Sequence, residues 1–217
     1  MNIEKEKQLL NNGYKYIAGV DEAGRGPLAG PVVAACVIID KDFNFNEDDD
    51  LNMVTDSKKL SQKKRENLFK LIKEKVKSVE ISVISSKEID RTNILKASLS
   101  AMNKAVNKCK IKADYILVDG SFKIPDIKIK QEAIPQGDAK IFSIAAASII
   151  AKVSRDFLMT KYDKEYPNYQ FAKHKGYGTK LHLEMIKKYG PCPIHRYSFA
   201  PIKKDSKPKN ISKIKNK

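Results

Sequence analysis

Apolar positions in this 217-residue chain alternate between short compact runs and helical stripes, and that order predicts the fold class. Residues 1–13 read as a short polar helix ended by Gly13. Tyr16 to Val20 is a short bounded apolar run, and Val32 to Ile39 is β-branched; both predict buried strands, most simply antiparallel neighbours. Asp40 to Asn52 is acidic and Asn-rich, a surface loop. Ser61 is a good N-cap for a helix reaching about Val76, with Leu68, Leu71, Ile72 and Val76 on one face. Val79, Ile81 and Val83 alternate with Glu80 and Ser82, which predicts a half-buried strand. A second helix follows from about Asn93 to Cys109, striped by Leu95, Leu99, Met102 and Val106. Tyr115–Val118 is another buried strand, and Ile127 to Ala133 is a weakly alternating one. Gln136-Gly137-Asp138 makes a turn before a third long helix from about Lys140, whose Ala145-Ala146-Ala147-Ser148 run permits close packing and which Pro167 ends. Beyond it, Thr179 caps a helix running to Lys188. Strands interleaved with helices give an α/β class with a mixed sheet.

Composition narrows the partner. Forty-two Lys and Arg against 26 Asp and Glu leave a net charge of +16, with a pI near 9.6. A charge that large favours a polyanion, usually nucleic acid, over the alternative of a merely solubilising surface. Residues 203–217 hold seven lysines and one aspartate, so +6 sits in a tail too polar to build a core, for which disorder is expected, and +10 remains on the body. Three cysteines, Cys36, Cys109 and Cys192, without close pairing point to a reduced, cytoplasmic protein. Cys192-Pro-Ile-His195 is half a zinc spacing without a second half, and reads as structural. No apolar signal segment opens the chain, and the longest apolar stretch, Ile141 to Ala151, is too short to span a bilayer, so no membrane partner is expected.

Between the first two strands lie Asp21, Glu22, Gly24, Arg25, Gly26, Pro27, Gly30 and Pro31. The glycine spacing Gly24-x-Gly26-x-x-x-Gly30 is one residue too long for a dinucleotide-binding loop, and a second strand rather than a helix follows it. Carboxylates at the end of a buried strand are costly unless a cation or hydrogen bonds compensate them. The same grammar recurs at Asp119, after the Tyr115–Val118 run, and at Asp138, before the long helix. Each alone also reads as a turn residue or helix cap. Together, in a strongly basic chain, the four suit hard divalent ions that keep water and phosphate oxygens in their shell. Two such ions clamp the attacking and leaving oxygens of a phosphoryl displacement.

These blocks, in order, carry a family resemblance. Gly19-Val20-Asp21-Glu22-Ala23-Gly24-Arg25-Gly26-Pro27-Leu28-Ala29-Gly30-Pro31-Val32 resembles the opening motif of type 2 ribonuclease H, and Asp56-Ser57-Lys58-Lys59-Leu60-Ser61 its next block. Val118-Asp119-Gly120 and Gly137-Asp138-Ala139-Lys140 are similar to the blocks holding its other acidic residues. Ser143 to Asp156 looks like its signature helix, and His174-Lys175-Gly176-Tyr177-Gly178-Thr179 like its late substrate block. The resemblance covers about Tyr16 to Pro201.

The resemblance implies a ribonuclease H-like fold: a mixed five-stranded sheet flanked by helices, with a C-terminal helical segment from about residue 168 inside a catalytic domain of residues 1–202. It implies hydrolysis of the RNA strand of RNA–DNA hybrids, and cutting 5′ of single ribonucleotides in duplex DNA, leaving 3′-hydroxyl and 5′-phosphate ends. Asp21, Glu22, Asp119 and Asp138 would be the catalytic set holding two Mn²⁺ or Mg²⁺ ions. Gly24, Arg25 and Gly26 would read the ribose 2′-hydroxyl through the backbone, Lys58 would contact phosphate, and Tyr177 would sense the RNA-to-DNA junction. His174 is read as structural or phosphate-facing. The type 3 relative carries an N-terminal substrate-binding domain, for which a motif opening at Gly19 leaves no room. A monomer is expected. The rival readings are a non-catalytic nucleic-acid binder, which needs no buried carboxylates, and a different two-metal nuclease, which lacks the 2′-hydroxyl reader.

Overall fold

The computed structural model describes residues 3–44, 51–54, 57 and 60–202, so Lys58 and the lysine-rich tail lie outside the described residues. Among the described residues, five strands form one mixed sheet: β1 (Tyr16–Ala23), β2 (Val32–Asp40), β3 (Ser78–Ile84), β4 (Tyr115–Asp119) and β5 (Lys130–Ile134). The spatial order is β3-β2-β1-β4-β5. β1 pairs antiparallel with β2 and parallel with β4; β2–β3 is antiparallel and β4–β5 parallel. The helices are α1 (Glu4–Asn11), α2 (Gln62–Lys75), α3 (Ser86–Arg91), α4 (Ile94–Lys108), α5 (Phe142–Glu165), α6 (Phe171–His174) and α7 (Lys180–Tyr189).

The middle of the sheet is covered on both faces, which explains why its central strands β2, β1 and β4 read as continuous apolar runs. All nine residues of β2 are buried. Ile17, Val37, Ile39 and Leu117 face a core shared with Leu9 of α1, Leu68 and Ile72 of α2, and the Ile144–Ala151 stretch of α5. Ala18, Val20, Cys36, Ile38, Ile116 and Val118 face α4 through Ala97, Ala101, Met102 and Ala105. Each fully buried Ile or Leu contributes about 1.5–3 kcal/mol by leaving water. A third apolar cluster, Ala29, Met159, Tyr169, Phe171, Cys192 and Ile194, fastens the C-terminal segment to the end of α5.

Three differences from the sequence reading have local causes. β1 runs three residues beyond Val20, because β2 continues to offer partners, as in Asp21↔Ala35 and Ala23↔Val33. Asp21 and Glu22 are therefore strand residues rather than loop residues. In β3 the expected inward face holds at Val79 and Ile81, which pack against the core, and fails at the strand's end, where Val83 is 47% exposed while Ser82 and Ile84 are buried. β3 is an edge strand, and its Ser82–Ile84 side meets α4 while Val83 lines open ground between α2 and α5. On α4 the sheet-facing stripe is the small set Ala97, Ala101 and Ala105 with Met102 and Val106, whereas Leu95 and Leu99 lie at its margin.

Local capping follows the sequence closely. The Ser61 side chain accepts from Lys64 N–H, Asn93 from Lys96 N–H, and Thr179 from His182 N–H. α3, which the periodicity did not predict, is set by a capping box between Ser85 and Glu88. α5 has no side-chain cap of its own. Glu6 of α1 supplies one from 137 residues away, accepting from Ser143 N–H at 2.8 Å and Ser143 O–H at 3.0 Å. None of the helices among the described residues is long and apolar enough to cross a membrane.

Candidate active site

The carboxylates meet because two parallel strands end together. Val20 pairs with Val118, and one residue further along each strand stand Asp21 and Asp119. Asp21 has the same strand parity as Ile17 and Gly19 and so faces α5. Gly19 makes that approach possible, since a Cβ there would stand 2.1 Å from the Ser143 carbonyl carbon. Asp138 arrives in the 3₁₀ turn Gly137–Ala139 that precedes α5. That turn is tied to β4, because Asp119 Oδ1 accepts from Gly137 N–H at 2.7 Å and from Asp138 N–H at 3.3 Å. The residue at the start of α5 is Ile141, so Asp138 does not cap that helix.

Charge in this cluster is poorly compensated. Burial, then the charges of Glu22 and Asp119, push the Asp21 carboxyl well above the usual range, against a hydrogen bond from Ser148. Ser148 is held in turn by Ser57 at 3.0 Å, Oγ to Oγ. Burial also raises Glu22, opposed by Arg25 and reinforced by Asp119. Arg25 Nη1 lies 3.1 Å from Glu22 Oε1. The other oxygen, Glu22 Oε2, is buried without a hydrogen-bond partner. A buried carboxylate oxygen with nothing to accept costs free energy unless a cation reaches it. Among the described residues no three His, Cys, Asp or Glu side chains form a closed metal cage. The donor set is nonetheless all oxygen, mutually repelling and partly orphaned, and it fits hard divalent ions that take part of their shell from water and phosphate.

Beside the carboxylates, residues 24–31 form a loop whose backbone is pinned from behind. Arg155 of α5 donates to the carbonyls of Pro31, Lys175 and Ala29 at 2.9, 2.9 and 3.0 Å. Arg196 donates to those of Gly30, Arg25 and Gly24 at 3.0, 2.9 and 2.5 Å, and to Pro31 at 3.3 Å. Burial lowers Arg155 to about 10 and Arg196 to about 9, the latter helped by the neighbouring Arg155 charge, so both remain cations at neutral pH. Leu28 N–H and Gly30 N–H bond outward to Gly176 and Ile194 carbonyls, and Arg196 N–H to Leu28. Gly24, at φ +103°, leaves room for Arg155: a Cβ there would lie 2.2 Å from Nε. With these carbonyls held, Arg25 and Gly26 are exposed to solvent beside Glu22.

The Tyr177 ring stands at the same place. It is 44% exposed, its Cε1 lies 3.8 Å from where a Gly26 Cβ would be, and Lys152 and Arg155 approach its face at 5.9 and 6.0 Å. Asp21, Glu22, Asp119, Asp138, Gly24, Arg25, Gly26 and Tyr177 thus belong to one contiguous region, while Lys58 lies outside the described residues. His174 is buried and structural: its Nε2 is 2.8 Å from the Tyr169 carbonyl and its Nδ1 accepts from Gly176 N–H. His182 and His195 are buried with it, and burial drives them to about 4 and 3. The roles of Arg155, Arg196 and His182 escaped the sequence reading, in which an arginine inside the apolar signature helix, at Arg155, was the available signal, whereas His195 is structural as its spacing to Cys192 suggested.

Comparison with known proteins agrees with this geometry. The family profile described as Ribonuclease HII matches residues 18–202. Over 194 residues the chain is 55% identical to the ribonuclease HII of Caldanaerobacter subterraneus subsp. tengcongensis, covering 89% of this chain and 78% of that one. It is 54% identical over 204 residues to the ribonuclease HII of Acholeplasma laidlawii, covering 94% and 96%. Among solved structures, the ribonuclease H2 of Pyrococcus horikoshii superposes with a TM-score of 0.74 at 31% identity, over 87% of this chain and 96% of that one.

Proposed function

The chain belongs to the ribonuclease HII family and is thereby a nuclease, and we propose from its site that it hydrolyses the RNA strand of RNA–DNA hybrids and cuts 5′ of a lone ribonucleotide in duplex DNA. One observation carries this reading: a carboxylate cluster with one buried, unpartnered oxygen, Glu22 Oε2, lies beside a loop whose carbonyls are held from behind and whose Arg25 and Gly26 are exposed in front. Carboxylates alone would serve a general nuclease. The 2′-hydroxyl is the group that separates RNA from DNA, and a fixed peptide edge at Gly24–Gly26 can approach it where side chains would collide. Pre-set backbone groups bind without the entropic cost of ordering a loop.

Asp21, Glu22, Asp119 and Asp138 would hold two divalent ions, Mg²⁺ or Mn²⁺. When bound, the ions supply Lewis acidity that generates the attacking hydroxide and stabilises the leaving 3′-oxygen. The residues themselves do the rest. Ser148 and the Glu22 N–H, at 2.6 Å from Asp21 Oδ1, orient the Asp21 carboxylate. The Asp119 bonds to residues 137 and 138 fix how Asp138 is presented. Arg25 holds one Glu22 oxygen and leaves the other for a ligand. Tyr177 would pack on the deoxyribose that follows the scissile ribonucleotide, where an added hydroxyl would be disfavoured. Lys58 and the basic surface would bind phosphates.

The test is cleavage of three duplexes: an RNA–DNA hybrid, a DNA duplex with one ribonucleotide, and all-DNA, each with Mg²⁺, Mn²⁺ or chelator. The first two should be cut only with metal, leaving 3′-hydroxyl ends, and the third left intact. Equal cutting of all-DNA removes the ribose-reading role of the loop.

A further inference from the structure

We propose that His182 and His195 are positioning residues that set the Tyr177 turn through a one-way chain of hydrogen bonds, and thereby tune junction selectivity. The inference rests on the junction-sensing role given to Tyr177 above. Neither ring touches the carboxylates or the loop front, and both are fully buried. His182 touches the Tyr177 carbonyl, and His195 touches His182.

The protonation pattern follows from the partners. Cys192 N–H, which can only donate, points at His195 Nδ1 from 2.8 Å, closer than Cys192 Sγ at 3.1 Å and the Cys192 carbonyl at 3.2 Å. His195 Nδ1 is therefore the acceptor, and the proton of the neutral ring sits on Nε2. That nitrogen lies 3.0 Å from His182 Nε2. Two N–H groups cannot face each other, so His182 Nε2 accepts and its proton sits on Nδ1. His182 Nδ1 in turn is 2.9 Å from the Tyr177 carbonyl, which can only accept. Donation thus runs from Cys192 through His195 and His182 to Tyr177, with each tautomer dictated by the one before it.

The receiving end is a tight turn. Tyr177 N–H bonds to the His174 carbonyl at 2.9 Å and Thr179 N–H to the Tyr177 carbonyl at 2.8 Å. His174 stacks on His182 with ring centroids 4.3 Å apart and accepts from Gly176 N–H. Gly176 sits so close to the loop that a Cβ would be 2.5 Å from the Ala29 carbonyl oxygen. Holding the Tyr177 carbonyl inward fixes the peptide that aims the ring over Gly26. Releasing it lets the ring swing, while the metal ligands stay where they are.

The measurement is the ratio of kcat/KM on a duplex with one ribonucleotide followed by DNA to kcat/KM on a uniform hybrid. Tyr177→Ala should lower this ratio. His182→Ala and His195→Ala should lower it roughly threefold to tenfold, the value of one hydrogen bond. His182→Asn, whose amide reaches the Nδ1 position, should recover most of it, and Tyr177→Ala/His182→Ala should be no lower than Tyr177→Ala. Independently of any variant, ¹⁵N spectra of the wild-type histidine rings at neutral pH should show His195 protonated on Nε2 and His182 on Nδ1. A ratio that falls in Tyr177→Ala but holds in the histidine variants, or the opposite tautomers, overturns the positioning role. A ratio unmoved by Tyr177→Ala overturns the sensing role itself, and the positioning role with it.

Discussion

Two buried charge clusters lie side by side and solve the same problem in opposite ways. Asp21, Glu22 and Asp119 crowd like charges together and leave an oxygen unpartnered. Arg155 and Arg196 are equally enclosed, but their donors are spent on backbone carbonyls. The first cluster is unfinished without a cation and a substrate. The second is finished, and its product is a rigid loop. On the function proposed above, chemistry would sit where charge is left over, and discrimination where the backbone is held.

Breaking the first cluster should give the largest effect. Asp21→Asn or Asp119→Asn should lower kcat on a hybrid by on the order of 10³-fold, since a metal's charge stabilisation is worth several kcal/mol. Asp21→Asn should at the same time leave stability unchanged or raised, because it removes a raised, repelled carboxylate. Single-turnover cleavage paired with urea unfolding checks this, and near wild-type turnover at low Mn²⁺ would mean that the ion does not depend on these oxygens.

Breaking the second cluster should reverse that pattern. Arg196→Met should destabilise the protein by about 3–5 kcal/mol, because the Gly24, Arg25 and Gly30 carbonyls lose their buried donors. Ribose discrimination should fall before the saturated rate does. A variant with full stability and intact discrimination would show the loop to be self-supporting.

A smaller effect sharpens the contrast by pH. His182 and His195 have folded-state values of about 4 and 3 against an ordinary 6.5. Their contribution to stability is complete above 6.5. As pH falls below 6.5 the unfolded chain takes up protons that the folded one refuses, so stability declines until about pH 4, by about 1.4 kcal/mol per pH unit per histidine at most. Glu6, Asp21 and Glu22 run the other way, since their raised values favour the folded state at low pH and that contribution is lost as pH rises above the ordinary carboxylate range. Urea midpoints at several pH values, for wild type against His182→Asn, isolate the histidine share. Identical slopes would mean that His182 protonates freely in the folded state.

The smallest effect should come from residues 203–217, which carry +6. Removing them should weaken hybrid binding at low salt and flatten its salt dependence, through fewer counterions released, with the saturated single-turnover rate unchanged. A loss of that rate would place the tail within the working site.

What was legible in the sequence divides along the same line. The strands, the long helices and the carboxylates announce themselves through local pattern, because an apolar run or a lone Asp after it is a property of neighbours in sequence. Ser61 and Thr179 were readable as caps for the same reason. The Ser85–Glu88 box was equally local and was overlooked because the helix it starts is only six residues long. Val83 misled because an edge strand has no fixed inner face at its end. Arg196 and His182 left no local signal, Arg155 only an arginine inside an apolar helix, and His195 only its structural spacing to Cys192. The loop carbonyls that Arg155 and Arg196 hold come from segments 124–172 residues away, and nothing beside the arginines in sequence marks those partners.

The separation between Arg196 and its partners has a consequence for how the protein is made. The carbonyls it holds lie 165–172 residues earlier in the chain. During synthesis from the N-terminus, the ribosome has produced Asp21, Glu22, Asp119, Asp138 and the whole of α5 before Arg196 exists. Contacts of such long sequence separation close late, because loop entropy must first be overcome. The nascent chain therefore holds Asp21, Glu22, Asp119 and Asp138 before it holds the arginine that fixes the 24–31 loop, so on the reading proposed above ribose selectivity would be the later of the two properties to form.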